Sequence, residues 1–155
     1  MNTNTDTAGR APALPRDIPK DTDLLVLSFG FDHGPAPEGC TIVFDARSTV
    51  ARDGLGDQFE ATTGLDPATI EHVLRLPYVG RLLNHLTDTA RDLLGAADRD
   101  GDPVVIAVGS ADGTRRAVVL ADQLAEMVTE TAGYESHVVH LDLPAEPSTD
   151  EQEGA

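Results

Sequence analysis

The residues best suited to chemistry lie in one short loop with two glycines, a serine and two adjacent arginines: Gly109, Ser110, Gly113, Arg115 and Arg116. The spacing Ser110-x5-Arg116 is typical of loops that wrap a phosphate group and close over it with an arginine. Phosphatases with such a loop have a cysteine at the place of Ser110. A serine is a poor nucleophile unless a base activates it, and no histidine lies near Ser110 in the sequence. The loop therefore favours anion binding over catalysis, and an ordinary strand–turn–helix connection is the alternative.

The elements around this loop place it at the end of a strand and the start of a helix. The apolar run over residues 104–108 predicts a buried strand, and apolar residues at helical spacing predict a helix from Thr114 to about Ala132. Ligands often bind at such strand ends, where the N–H groups of the helix N-terminus and the helix dipole favour anions. We expect Gly109, Ser110 and Gly113 to offer backbone N–H groups, and Arg116 to pair with the anion with support from Arg115.

Four more residues complete the predicted site. Asp45 and Arg47 end the second predicted strand on the same side of its backbone. Asp45 would accept hydrogen bonds from ligand hydroxyl or amino groups, and Arg47 would orient Asp45 or the anion; a local salt bridge is the alternative. Ser28, in the first strand, and His33, in the glycine-rich loop after it, are expected to line the neighbouring strand end.

The order of elements predicts an α/β fold with a single domain. We expect a mixed or mostly parallel sheet of about four strands with helices packed on it. The predicted strands cover residues 23–29, 41–46, 104–108 and 134–143, and the third strand, its helix and the last strand should form a right-handed parallel crossover. Residues 1–20 are predicted to be a disordered leader and residues 144–155 a disordered acidic tail, which leaves residues 21–143 as the folded domain.

The amino-acid composition limits the classes of partner and the cellular compartment that fit this protein. The 155 residues carry 27 acidic and 11 basic side chains, for a net charge of −16, which argues against a broad surface that binds nucleic acid. No apolar run approaches the roughly 18 residues of a membrane span. The single cysteine, Cys40, excludes an internal disulfide and fits a reducing cytoplasm.

Metal and cofactor motifs are missing from the sequence. The five histidines have no metal-ligand spacing, and Asp98-x-Asp100-Gly-Asp102 lacks the glutamate that a calcium loop needs at its twelfth position, which is Gly109 here. Neither Gly-x4-Gly-Lys-Ser/Thr nor Gly-x-Gly-x-x-Gly occurs. We therefore expect no metal and no cofactor.

Four segments carry a resemblance to a known family: Ser28-Phe29-Gly30-Phe31-Asp32-His33-Gly34, Val43-Phe44-Asp45-Ala46-Arg47, Thr63-Gly64-Leu65-Asp66, and the loop at 109–116 with its helix. Over roughly residues 24–143 the chain resembles the C-terminal domain of the RapZ proteins, which are bacterial RNase adapters. The family loop usually reads Gly-Cys-Thr-Gly-Gly-x-His-Arg-Ser. Gly109, Gly113 and Arg116 match this pattern, and five positions differ: Ser110, Ala111, Asp112, Arg115 and Ala117.

The resemblance implies an α/β domain that senses glucosamine-6-phosphate and that in some members contacts a small RNA and an endoribonuclease. It also implies an N-terminal ATPase domain, which these 155 residues do not include. We expect a diverged, non-catalytic regulatory domain that binds a small anionic metabolite, such as a phosphorylated sugar, and acts through a protein partner. Two alternatives stay open: a phosphate-ester hydrolase that uses Ser110, and an interaction scaffold without a ligand.

Overall fold

The structure, a computed structural model, describes residues 11–47, 61–96 and 100–144. Within these ranges the chain forms four strands and three α-helices. In chain order they are β1 (Leu24–Gly30), β2 (Ile42–Asp45), α1 (Pro67–Leu74), α2 (Val79–Ala96), β3 (Val104–Ser110), α3 (Arg116–Ala132) and β4 (Ser136–His140). A single 3-10 turn, Phe31–His33, follows β1 directly.

The strands form one parallel sheet with the order β2-β3-β1-β4. β1 pairs with β3, from Leu24 opposite Val104 to Gly30 opposite Ser110, and pairs with β4 along its other edge. β2 pairs with β3 and forms an edge of the sheet. The α/β class and the four-stranded sheet predicted from the sequence are confirmed, and every described strand pair is parallel.

The two faces of the sheet are covered differently. On the helix face, alternate residues of β1 and β3, such as Leu24, Val26 and Ile106, pack against buried residues of α2 and α3. On the second face, Leu25, Leu27 and Phe29 of β1 pack with irregular segments of the chain. Every residue of β1 and of β3 is buried, which explains why both strands are continuous apolar runs rather than alternating patterns. None of the helices in the described ranges has the length and apolarity that crossing a membrane requires.

One expectation about the last βαβ unit needs correction. The helix begins at Arg116 rather than Thr114, because the Asp112 carboxylate accepts a hydrogen bond from the Thr114 N–H and holds that residue in a turn. β3 and β4 are parallel but not neighbours, since β1 lies between them. The crossover through α3 therefore passes over β1, which brings the helix onto the central strand of the sheet.

The second face is partly covered by residues of the segment expected to be a disordered leader. Leu14 and Ile18 are partly buried against Leu25, Leu27 and Phe29. The backbone N–H of Glu38 donates to the carbonyl of Pro12 at 3.3 Å, which ties this segment to the loop after β1. Packing therefore extends upstream of residue 21. The remainder of the expected leader, residues 1–10, and residues 145–155 of the expected tail lie outside the described residues.

Replacing both Leu14 and Ile18 with alanine should lower the free energy of unfolding by about 2–4 kcal/mol, since each change removes apolar contacts from a partly buried site. Urea denaturation of the full chain measures this. Leu65→Ala is the matched control because 47% of Leu65 is exposed, and it should change stability by less than about 0.5 kcal/mol. A double variant as stable as the wild type would show that the segment does not pack on the sheet.

Candidate functional site

The carboxyl ends of the strands meet at one edge of the sheet because all described pairs are parallel. At the centre of that edge the chain leaves β1 and β3 toward opposite faces. β1 continues into Phe31, which packs on the second face, whereas β3 continues into α3 on the helix face. Ligands bind at such divergence points in open α/β sheets. Residues 109–116, called the strand-end loop below, lie here between β3 and α3.

The strand-end loop is braced by its own side chains. The Ser110 Oγ accepts a hydrogen bond from the Gly113 N–H at 3.1 Å, and the Asp112 Oδ1 accepts one from the Thr114 N–H at 3.0 Å. The carbonyl of Thr114 in turn accepts the N–H of Gly64 at 2.8 Å, which attaches the segment before α1 to the loop. These hydrogen bonds brace the loop and attach it to the segment before α1.

Ser110 lies inside the loop rather than at its surface. Only 1% of the residue is exposed, and its hydroxyl already holds the Gly113 N–H. A nucleophilic serine needs an exposed oxygen and a base within hydrogen-bond reach. The position of Ser110 therefore fits a bracing role, and in this arrangement the Gly113 N–H points at the serine instead of at a ligand.

The loop presses directly against the end of β1 through two glycines. Gly113 has φ of 76°, and a Cβ added there would lie 2.5 Å from the carbonyl carbon of Phe29 and 2.9 Å from the Cα of Gly30. A Cβ added to Gly30 would lie 2.8 Å from the Gly113 nitrogen. The Asp32 N–H also donates to the carbonyl of Ala111 at 2.9 Å. Main chain thus contacts main chain here, with no space for a side chain between them.

Arg115 and Asp112 form an ion pair inside the loop. The Arg115 guanidinium lies 2.8 Å from Asp112 Oδ2, and 20% of the Arg115 side chain is exposed. Burial acts to raise the pKa of Asp112, but hydrogen bonds from Thr114 and Arg115 outweigh it, so the pKa of this carboxyl falls below its ordinary value. The negative charge of Asp112 is therefore balanced by Arg115. Arg116 contributes its positive charge at the first residue of α3.

Asp45 and Arg47 form a second ion pair at the end of β2. The Arg47 side chain donates to both oxygens of Asp45, at 3.0 Å from Nε to Oδ1 and 2.7 Å from Nη2 to Oδ2. These hydrogen bonds lower the pKa of Asp45. The Arg47 guanidinium also stacks on the ring of Phe31, with 3.8 Å from its Cζ to the ring centroid. The N–H of Ala46 donates to the carbonyl of Gly109 at 2.8 Å, so this pair lies next to the end of β3.

The two remaining predicted residues are placed differently from each other. Ser28 is fully buried on the helix face, and its Oγ lies 2.6 Å from Nδ1 of His140. It therefore does not line the strand end as expected, because its position in β1 points it under α3. His33 is exposed and lines a cavity of about 290 Å³ together with Gly30 and Asp142.

The site predicted from the sequence does not include two residues that lie at this edge. Asp142 accepts the Gly30 N–H through Oδ2 at 2.7 Å, and His140 bonds Ser28. Both follow from the pairing of β4 with β1, in which Ser28 is opposite His140. No local pattern reveals which strands pair across a sheet. Within residues 11–47, 61–96 and 100–144, no three histidine, cysteine or acidic side chains gather as metal ligands would.

Comparison with known proteins identifies the family to which the whole domain belongs. The family model described as the RapZ C-terminal domain matches residues 22–144. The chain belongs to the RapZ C-terminal domain family. The matched range contains every described strand and helix, from β1 to β4.

Relatives of this RapZ C-terminal domain are named nucleotide-binding proteins. One from Rhodospirillum rubrum is 34% identical over 125 residues, which are 80% of this chain and 38% of the relative. Another from Symbiobacterium thermophilum is 33% identical over 129 residues, 83% of this chain and 42% of the relative. A third from Macrococcus caseolyticus is 30% identical over 130 residues, 83% of this chain and 43% of the relative. The chain thus spans about two fifths of the length of these relatives.

Proposed function

We propose that this RapZ C-terminal domain is a non-catalytic regulatory module that binds a small phosphorylated metabolite at the strand-end loop. The observation that carries the proposal is the place of the loop. It leads from a central parallel strand into the N-terminus of α3, a helix of 17 residues, at the point where the chain leaves the sheet toward opposite faces. Helix N-termini carry a partial positive charge and N–H groups that suit phosphate.

Charge supports an anion at this position. Arg115 and Arg116 bring two adjacent positive charges to the start of α3, and Arg115 also forms an ion pair with Asp112. The rest of the chain is strongly acidic, with a net charge of −16. A small anion with a compact charge can use one local positive region, whereas a long nucleic acid would meet repulsion over most of the surface.

The loop is preorganised for a ligand by its internal hydrogen bonds. Hydrogen bonds from Gly113 to Ser110 and from Thr114 to Asp112 already hold the loop, and Gly30 supports it from below. A ligand then loses less of its binding energy to ordering the protein. We place the polar part of the metabolite toward Asp45 and Arg47, whose carboxylate suits hydroxyl or amino groups, with His33 near the end of β1.

Catalysis by the loop serine is the weaker alternative. Ser110 is buried and its oxygen already accepts a hydrogen bond from the Gly113 N–H, whereas a nucleophilic serine must present its oxygen to a substrate. Nucleotides are the second class of candidate ligand, since the named relatives are nucleotide-binding proteins and nucleotides also present phosphate. The bound state would then act on a protein partner.

Binding is tested by titrating the full chain with inorganic phosphate, glucosamine-6-phosphate, glucose-6-phosphate, AMP and ATP. Glucosamine is the control, because it is the same amino sugar without the phosphate group. Backbone amide signals report the site in two-dimensional NMR spectra. We expect phosphorylated compounds to shift the signals of residues 109–116, and glucosamine to leave them in place. Uniformly unchanged spectra would favour the ligand-free scaffold. Turnover of an aryl phosphate that is lost in Ser110→Ala would favour the hydrolase.

A further inference from the structure

Three side chains from three elements form one hydrogen-bonded chain beneath the strand-end loop. Ser28 of β1 lies 2.6 Å from Nδ1 of His140 in β4, and Nε2 of His140 lies 3.0 Å from Oδ1 of Asp122 in α3. Ser28 is fully buried, and only 14% of the His140 side chain is exposed. These hydrogen bonds therefore connect the central strand, an edge strand and the helix that begins at the loop.

The chemistry of the three groups sets the direction of both hydrogen bonds. A carboxylate can only accept, so Nε2 of His140 carries a proton and donates it to Asp122. In a neutral imidazole the other nitrogen is then an acceptor, and the Ser28 hydroxyl donates to Nδ1. This arrangement satisfies the buried hydroxyl of Ser28, whose loss of a partner would be costly. A neutral His140 is therefore held as the Nε2–H tautomer.

The three residue types are those of a hydrolytic triad, but the geometry excludes that use. A triad serine must present its oxygen to a substrate. Ser28 lies inside β1, with none of its surface exposed, and its neighbours on the helix face are core residues. The chain of hydrogen bonds consequently has a positional effect rather than a chemical one.

We infer that His140 is a positioning residue that sets the first turn of α3 relative to the end of β1. Asp122 lies six residues after Arg116, which is about 9 Å along the helix. Ser28 lies two residues before Gly30, the residue that supports the loop. Breaking these hydrogen bonds would release the helix from β1 close to the loop. The consequence for ligand affinity rests on the proposed function, whereas the consequence for the helix does not.

The same helix and strand are joined by another hydrogen bond at their far ends, which provides a matched control. Thr129 Oγ1 of α3 lies 3.0 Å from Ser136 Oγ at the start of β4. Ser136→Ala removes this bond between the same two elements, but away from the loop. An effect that comes only from weaker packing between α3 and β4 would be seen in both variants.

The decisive comparison uses Asp122→Ala, Asp122→Asn and Ser136→Ala in the full chain. Asp122→Ala removes the acceptor, whereas Asp122→Asn removes the same charge but keeps an oxygen that accepts from His140. Hydrogen exchange of the Val119 amide, which donates to the Arg115 carbonyl at 3.0 Å, reports the first turn of α3. We expect roughly tenfold faster exchange in Asp122→Ala, and rates near the wild type in the other two variants.

Phosphate affinity gives the second readout. Removing a negative charge near the loop should strengthen phosphate binding if electrostatics alone acts. The positioning role predicts the opposite sign, a loss of roughly three- to tenfold in Asp122→Ala, with affinity kept or raised in Asp122→Asn and unchanged in Ser136→Ala. Inorganic phosphate is the probe.

The imidazole nitrogen chemical shifts of His140 complete the test, since they distinguish the two neutral tautomers. An Nδ1–H tautomer in the wild type, or exchange of Val119 unchanged in Asp122→Ala, would overturn the inference. Should the wild type bind neither inorganic phosphate nor any of the phosphorylated compounds named above, the proposed function fails. The positioning role still stands or falls on the tautomer and on the exchange of Val119.

Discussion

Gly113→Ala is expected to lower the free energy of unfolding by at least about 3 kcal/mol. Gly113 has φ of 76°, where an L side chain costs about 1–2 kcal/mol. The new Cβ would also lie 2.5 Å from the carbonyl carbon of Phe29, and overpacking of this kind typically costs a further 1–3 kcal/mol, roughly. β1 cannot move aside because it is paired with β3 and β4 along both edges.

Thermal unfolding measures this effect, and the expected fall in Tm is roughly 6–12 °C for a domain of this size. Gly80→Ala is the matched control. It makes the same chemical change in α2, where nothing lies within 4 Å of the added Cβ, and should stabilise the chain by up to about 1 kcal/mol. Equal melting temperatures for Gly113→Ala and the wild type would mean that the loop does not rest on β1 as described.

Much of the fold follows from local patterns in the chain. The apolar run at residues 104–108 predicts β3, and the helical spacing of the apolar residues that follow predicts α3. Strand order is different in kind, since β1 lies between β3 and β4 although it precedes both in the chain by many residues. Leu14 and Ile18 have no such local signal, because two apolar residues among prolines show no periodicity. Their role depends on the second face of the sheet, on which they pack.

The candidate site divides in the same way. Its location was predictable, because a glycine-containing loop between an apolar run and an amphipathic helix is a local feature. The partners of its side chains were not. The carboxylate of Asp112 would repel an anion if it stood alone, but it pairs with Arg115 three residues later. Ser28 was expected at the strand end, and its contact with His140, 112 residues away, places it under α3 instead.

Arg116→Ala is expected to weaken binding of a phosphorylated ligand roughly ten- to hundredfold, and Arg115→Ala to weaken it less. Arg116 is the first residue of α3, whereas Arg115 precedes the helix with a non-helical φ of −123° and ψ of −79°. Arg115 already donates to Asp112 at 2.8 Å, so a ligand would have to compete with that carboxylate for its guanidinium. Arg116 has the position that the Ser110-x5-Arg116 spacing requires for an arginine closing over a phosphate.

Calorimetric titration with the tightest phosphorylated compound found for the wild type would compare the two arginines. Arg81→Ala on α2 is the control, because it removes one positive charge from an exposed position on another helix. If Arg81→Ala loses as much affinity as Arg116→Ala, net charge alone is responsible.

A double variant, Arg115→Ala with Asp112→Asn, accompanies Arg115→Ala, because removing only the arginine leaves the Asp112 carboxylate without that ion pair and able to repel the ligand. If the double variant binds as the wild type does and Arg116→Ala does not, Arg116 is the anion-binding residue and Arg115 serves to neutralise Asp112. If Arg116→Ala binds as tightly as the wild type, the anion lies outside the strand-end loop.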